Sequence, residues 1–210
     1  MYLPDHFKET DPAAIAALVK ANPLATIVAQ GNDGLFANHI PLIMVADTQL
    51  IGHIARANDM HRILADGQEI LAVFQGTHGY ISPNWYPTKA ETHQQVPTWN
   101  YEVVHLHGRI RFQHDEKSKR AVVGRLTKHF ETAQNGAQAW KMSDAPQDYM
   151  TARFAEIVAF EIDVTRVLAK AKLSQNKSPI DAQGAAKMLA ENGQGALSER
   201  MIKKLAPNTD

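Results

Sequence analysis

The chain reads as an antiparallel, mainly β fold with some helix: a small closed or partly open barrel with peripheral helices. Three observations lead there. First, Val104, Leu106, Gly108, Ile110 and Phe112 alternate with Val103, His105, His107, Arg109 and Arg111, the period of two of a strand with one buried face. Second, five strand-like runs fall between residues 24 and 82 with short links. Third, strands and helices do not take turns as they do in a parallel, doubly wound sheet. Antiparallel strands joined by tight turns favour a barrel.

In order along the chain, Asp11-Pro12 followed by Ala13 to Lys20 predicts a helix with Thr10 or Asp11 as cap and proline in its first turn, ended by Asn22-Pro23. Runs 24–30 and 35–45 flank Gly31-Asn-Asp-Gly34 as a β-hairpin. Pro41 lacks a ladder donor, so it needs an edge or a bulge. Further strands are predicted at 49–55, 69–74, 78–82 and 158–164, with a short helix over 58–65. Apolar spacing at Ala121, Val122, Leu126 and Phe130 predicts a helix within 115–131. Ser178-Pro179 with Asp181 opens a helix that Asn192-Gly193 closes, and a last helix covers 197–205, with Pro207 beyond it.

At 210 residues the chain suits one domain carrying a helical appendage, divided as 1–170 and 171–210. There is no cysteine, which excludes disulfides, thiolate metal sites and cysteine nucleophiles. The N-terminus has no signal-peptide pattern and no run approaches the ~20 apolar residues of a membrane span, so the expected location is cytoplasmic. The net charge of zero argues against a dominant pull toward nucleic acid. The charge is uneven, however: residues 1–115 carry 7 Lys/Arg and 11 Asp/Glu, whereas 116–210 carry 15 and 11. Arg166, Lys170, Lys172 and Lys177 stand in a stretch without an acid, either a solvated face or a weak, salt-sensitive contact for DNA phosphates.

Three groups of residues could carry chemistry. Ala55-Arg-Ala-Asn-Asp-Met-His-Arg62 joins a strand to a helix start, where amides with Arg56 or Arg62 suit a phosphate. The same residues also read as a solvated turn capped by Asn58 or Asp59. His105 and His107 share one strand face, as a metal pair would, with His39, His53 and His93 as candidates for a third ligand of a metal or haem. Finally, residues 80–101 hold five of the 15 aromatic residues, forming either a hinge or a surface for a flat molecule or a second subunit. No dinucleotide fingerprint, phosphate loop, serine elbow or zinc-protease helix is present.

Met1-Tyr-Leu-Pro-Asp-His-Phe7, Gly52-His-Ile-Ala-Arg-Ala-Asn58, Tyr80-Ile-Ser-Pro-Asn-Trp-Tyr86, Val96-Pro-Thr-Trp-Asn-Tyr101, Val104-His105 and Lys172-Leu-Ser-Gln-Asn-Lys177 together resemble the PaiB family across nearly the whole chain. Its members are described as FMN-binding negative transcriptional regulators. The resemblance implies an FMN-binding split β-barrel, antiparallel and Greek-key-like, related to pyridoxamine phosphate oxidases and flavin reductases. It implies a homodimer with FMN in a groove between subunits. By position it places Arg56, Asn58 and Arg62 at the flavin phosphate and Trp99, Asn100 and His105 beside the flavin ring. Lys177 stands where the family pattern has arginine, which removes the bidentate fork. The regulator role does not follow from these residues, since no helix-turn-helix is evident. The expectations are thus a regulator using flavin as ligand or redox signal, a flavin-dependent oxidoreductase acting indirectly, or a haem- or metal-binding protein.

Overall fold

A single residue, Leu42, joins two strands that stand at opposite ends of one sheet. The computed structural model describes residues 1–205. Its strands are β1 (Leu24–Gly31), β2 (Gly34–Pro41), β3 (Ile43–Ala46), β4 (Gln49–Ala55), β5 (Glu69–Ile81), β6 (Thr98–Gln113) and β7 (Ile157–Lys172). They hydrogen-bond in the order β2-β1-β5-β6-β7-β4-β3. The pairs β1/β2, β1/β5, β3/β4 and β4/β7 are all antiparallel. Helices are α1 (Pro12–Ala21), α2 (Met60–Ile63), α3 (Lys89–Thr92), α4 (Glu116–Asn135), α5 (Gln147–Ala155), α6 (Pro179–Glu191) and α7 (Gly195–Leu205).

The chain forms two compact units. One comprises Val19–Phe74 and His105–Val167, and holds β1 to β4 with the adjoining parts of β5, β6 and β7. In this barrel unit, β2 ends at Pro41 and β3 begins at Ile43. Two residues along a chain span at most about 7 Å, so the sheet must bend round until its end strands come together. The strand order nevertheless pairs β2 only with β1 and β3 only with β4, which leaves a seam. Buried Leu42 fixes the corner by donating its N–H to Pro23 O at 2.8 Å.

The 35–45 run, expected as one strand, is therefore two. Pro41 has no N–H for a ladder and closes β2, an edge strand, as that residue requires. In the opposite sense, the runs 69–74 and 78–82 are one strand, β5. Gly76 permits the continuity, because a Cβ there would stand only 3.2 Å from Cβ of Glu102 on β6. The strands at 103–112 and 158–164 are both longer than expected, at 16 residues each. The helix expected over 58–65 is only the turn of α2, and α5 has no counterpart in the sequence reading.

Helix α4 lays Val122 and Leu126 against Ile43, Ile51 and Ala159, with Phe130 half-covering the same cluster. Burying two such side chains contributes roughly 3–6 kcal/mol before entropy is counted. Ala121, expected on that face, is exposed. Asp115 caps α4 by accepting from Ser118 N at 2.9 Å.

The second unit comprises Met1–Leu18, Gln75–Val104 and the chain from Leu168. Its core joins Ile81, Tyr86 and Leu173 to Ala185, Leu189, Leu197 and Met201 of the α6–α7 pair. The expected boundary between residues 170 and 171 falls within β7, and Pro207 lies outside the described residues. Buried Glu102 accepts three bonds from Arg200 of α7 at 2.7–3.1 Å. Ser178 caps α6 as expected, accepting from Asp181 N. Buried Asp181 in turn accepts from Thr88 N at 3.0 Å, Thr88 Oγ1 at 2.8 Å and Gln95 Nε2 at 3.2 Å.

Burial pushes the Asp181 pKa up, but the Thr88 and Ser178 hydrogen bonds and Lys177 outweigh it, and the net value lies below the ordinary one. A carboxyl with a lowered folded-state pKa stabilises fully above its unfolded value, about 3.9, and loses that contribution as pH falls through the folded value. Asp181→Asn should therefore cost about 1–3 kcal/mol at pH 7, the scale of disturbed buried hydrogen bonds. Urea melts of the two proteins should converge in acid, and a gap independent of pH would contradict this role.

Candidate functional site

In the second unit, alternation along β5 puts His78 and Tyr80 on one face, and Trp99 of β6 meets them both. The His78 and Trp99 rings stack at 5.9 Å with 25° between planes, and Tyr80 meets Trp99 edge-on at 6.3 Å. Trp99 is 48% exposed and Tyr80 45%, so these rings form a surface rather than a core. The remainder of the aromatic stretch divides differently. Tyr86 is fully buried in the unit's core, and Trp85 packs partly against it.

Asn100, next to Trp99, faces the opposite way and is completely buried. Its Nδ2 donates to Ser174 Oγ at 2.8 Å and approaches Met201 Sδ at 3.3 Å. Its Oδ1 and the Tyr86 hydroxyl are buried without a hydrogen-bond partner among the described residues. Burial raises the Tyr86 pKa, while the nearby Ser174 hydroxyl pulls against it.

In the barrel unit, Arg56, Asn58 and Arg62 come together at the end of β4. Arg62 donates to Arg56 O at 3.1 Å and pairs with Asp59 at 3.1 Å. Asn58 Oδ1 accepts from Met60 N at 3.0 Å and its Nδ2 donates to Asn38 Oδ1 at 3.1 Å, so this side chain forms an Asx turn leading into α2. Arg56 is the freer of the two cations: it is exposed, and its guanidinium donates one long bond among the described residues, 3.3 Å, to Ala155 O. His105 is half-buried, with a pKa lowered by burial first and by neighbouring positive charge second.

His107 does not present itself as a metal ligand. Arg166 Nη2 stands 3.1 Å from both of its ring nitrogens, and burial and that guanidinium together lower its pKa. Among the described residues no three His, Asp or Glu side chains converge as a metal site.

The basic stretch 166–177 is divided: Arg166 is exposed, whereas its lysines turn to protein partners. Lys170 is 6% exposed and donates to Tyr2 O at 3.2 Å. Lys172 donates to Thr98 Oγ1 at 2.5 Å, and Lys177 to Gln95 Oε1 at 2.7 Å. Sequence reasoning quoted these lysines and the residues around Trp99 but did not join them. Period-two pairing of His78 with Tyr80 was the available signal for the aromatic face.

A seamed antiparallel barrel is the split-barrel architecture. Comparison with known proteins agrees. Residues 1–166 match the family described as "Putative FMN-binding domain". The chain is 31% identical over 186 residues to the protease synthase and sporulation protein PAI 2 of Bacillus subtilis, covering 86% of this chain and 85% of that protein. It is 35% identical over 139 residues to an uncharacterized protein of Saccharomyces cerevisiae, covering 56% and 82%. In fold it is similar to the FAD and heme binding protein of Mycobacterium smegmatis, with a TM-score of 0.58 at 17% identity over 79% of this chain and 73% of that one. The flavocytochrome Anf3 of Azotobacter vinelandii gives 0.59 at 14% identity, covering 79% and 69%.

The chain belongs to the PaiB family of FMN-binding split barrels, and FMN is the cofactor that membership brings. The residues present fit that molecule chemically. A flavin needs a flat apolar wall and its phosphate needs a cation, and exposed Trp99 and exposed Arg56 are each of the required type. Among the described residues no helix is long and apolar enough to cross a membrane.

Proposed function

We propose that this protein is a PaiB-type regulator of gene expression in which bound FMN acts as ligand or redox signal. The observation that carries the reading is the family match over residues 1–166, together with the relative named protease synthase and sporulation protein PAI 2, of which the match covers 85%. Arg56 is the residue proposed for the phosphate, with Arg62 weakened for that task by Asp59. Trp99 is proposed for the ring, and His105 for its border. Asn100, being buried, supports the site through Ser174 rather than by touching the cofactor. Asn58 shapes the turn that carries Arg56. FMN when bound supplies reversible one- and two-electron chemistry.

Helix α7 follows α6 after a three-residue turn, as in a DNA-reading pair. Two of its three cations, all but the exposed Lys203, argue against that use. Arg200 turns inward to Glu102, and Lys204 to Glu9 at 2.9 Å. Together with the inward lysines of β7, this supports a regulatory output that does not depend on reading base edges with this chain's C-terminal helices.

Arg56→Ala should weaken FMN binding by at least ~1.5 kcal/mol, the scale of one charge-assisted hydrogen bond. Calorimetric titration returning the wild-type affinity would remove Arg56 from the site. The exposed Tyr80–Trp99 face is also proposed to lie at a homodimer interface. Light scattering with FMN present should give twice the mass of one chain, and the monomer mass would defeat this part.

The visible spectrum of the purified protein should be that of a flavin. Mixed anaerobically with NADH or NADPH, the flavin should stay oxidised over many seconds. Rapid, repeated turnover with an added acceptor would transfer the protein to the oxidoreductases.

A further inference from the structure

Three lysines stand together in the second unit without a carboxylate among them to balance Lys172. Lys170 and Lys172 alternate on one face of β7, and both ammonium groups lie 6.0 Å from the centre of the Phe7 ring. Lys170 also stands over Tyr101 at 5.1 Å and Tyr2 at 5.5 Å. Lys177 stands over Tyr86 at 4.9 Å. Ring faces thus do part of what acids would normally do. Burial lowers the pKa of Lys172, and Lys170 and Lys177 lower it further, so the three charges are close enough to repel one another. Asp181 lies beside Lys177, and its oxygens already accept from Thr88 and Gln95.

Each ammonium has three donors, and among the described residues the bonds from these three go to Tyr2 O, Thr98 Oγ1 and Gln95 Oε1, one apiece. Thr98 accepts from Lys172 and keeps its own hydroxyl proton to donate. Like charges gathered beside ring faces, each with donors to spare, are the chemistry that recognises an anion. We propose that Lys172, Lys177 and Thr98, with Lys170 behind them, form a binding site for a phosphomonoester dianion. A dianion suits the site better than a single carboxylate, because two ammonium groups, Lys172 and Lys177, face it and only Lys177 has a carboxylate beside it. Two sources share this chemistry: the phosphate of FMN, in which case the lysines hold it in place of Arg56, and a separate phosphorylated ligand. Only the first rests on the flavin reading above.

The substitution Lys172→Gln separates this role from a merely structural one. Removing one of three like charges should leave the melting temperature unchanged or raised, whereas loss of a structural lysine would lower it. Inorganic phosphate should raise the melting temperature of the wild type by linkage and do so much less for Lys172→Gln and Lys177→Gln. Titration of phosphate should show a loss of about tenfold in affinity for each variant, the scale of one charge-assisted bond.

FMN and riboflavin, titrated into the same proteins, identify the source. If Lys172→Gln weakens FMN and not riboflavin, the anion is the flavin's own phosphate. If FMN binding is untouched while inorganic phosphate is lost, the site serves a second phosphorylated ligand. A wild type that binds FMN but shows neither a phosphate-induced shift nor any dependence of FMN affinity on Lys172 overturns the proposal and leaves the flavin reading standing. A wild type that binds phosphate at the lysines and no FMN does the reverse.

Discussion

The one-residue corner at Leu42 constrains the barrel unit more than any other contact. A sheet of seven strands in this order has two free ends, and nothing in its hydrogen bonding brings them together. The covalent chain does. Because β2 and β3 are separated only by Leu42, curvature is obligatory. The corner is buried and hydrogen-bonded to Pro23, so it cannot relax outward without exposing an apolar side chain. The seam follows for the same reason. Pro41 cannot donate across it, and the edge it terminates stays unpaired.

Charge is organised by long-range pairing rather than by local patches. The sequence shows an acidic first half and a basic second half, which invites a search for a basic surface. In the second unit the two halves meet instead: Glu102 takes Arg200, and Glu9 takes Lys204. Removing Arg200 would leave a carboxylate that is nearly inaccessible to water, a far larger penalty than loss of an exposed pair. The Glu9 pKa is lowered even though burial opposes it, because Lys204 and two backbone amides hold the charged form.

Much of the fold was legible because local physics dominates there. β4 runs over the expected 49–55, and α6 opens at Ser178 and ends before Asn192 as its caps predict. Strand continuity was not legible. Whether 35–45 breaks and 69–82 runs through depends on which strand lies alongside, and that information sits in Glu102 and Pro23, far away in the sequence. The candidate site divides in the same way. Exposed Trp99 was readable from a dense aromatic stretch. The burial of Asn100 and Lys170 was not, because the partners that cover them, Ser174, Met201 and Tyr2, lie 74 to 168 residues away.

The exposure of Trp99 also makes the molecule its own optical instrument. Of the three tryptophans, Trp85 is partly buried beside Tyr86, and Trp99 and Trp140 are open to water. Trp99 alone of these carries a stacked imidazole, His78, on its face. Indole emission shifts when water leaves the ring, and it is quenched when a flavin's absorption overlaps it. Replacing Trp140 by phenylalanine would leave Trp99 as the dominant solvent-sensitive emitter, so anything that dried the ring would register as a shift in emission wavelength and a flavin beside it as a loss of intensity.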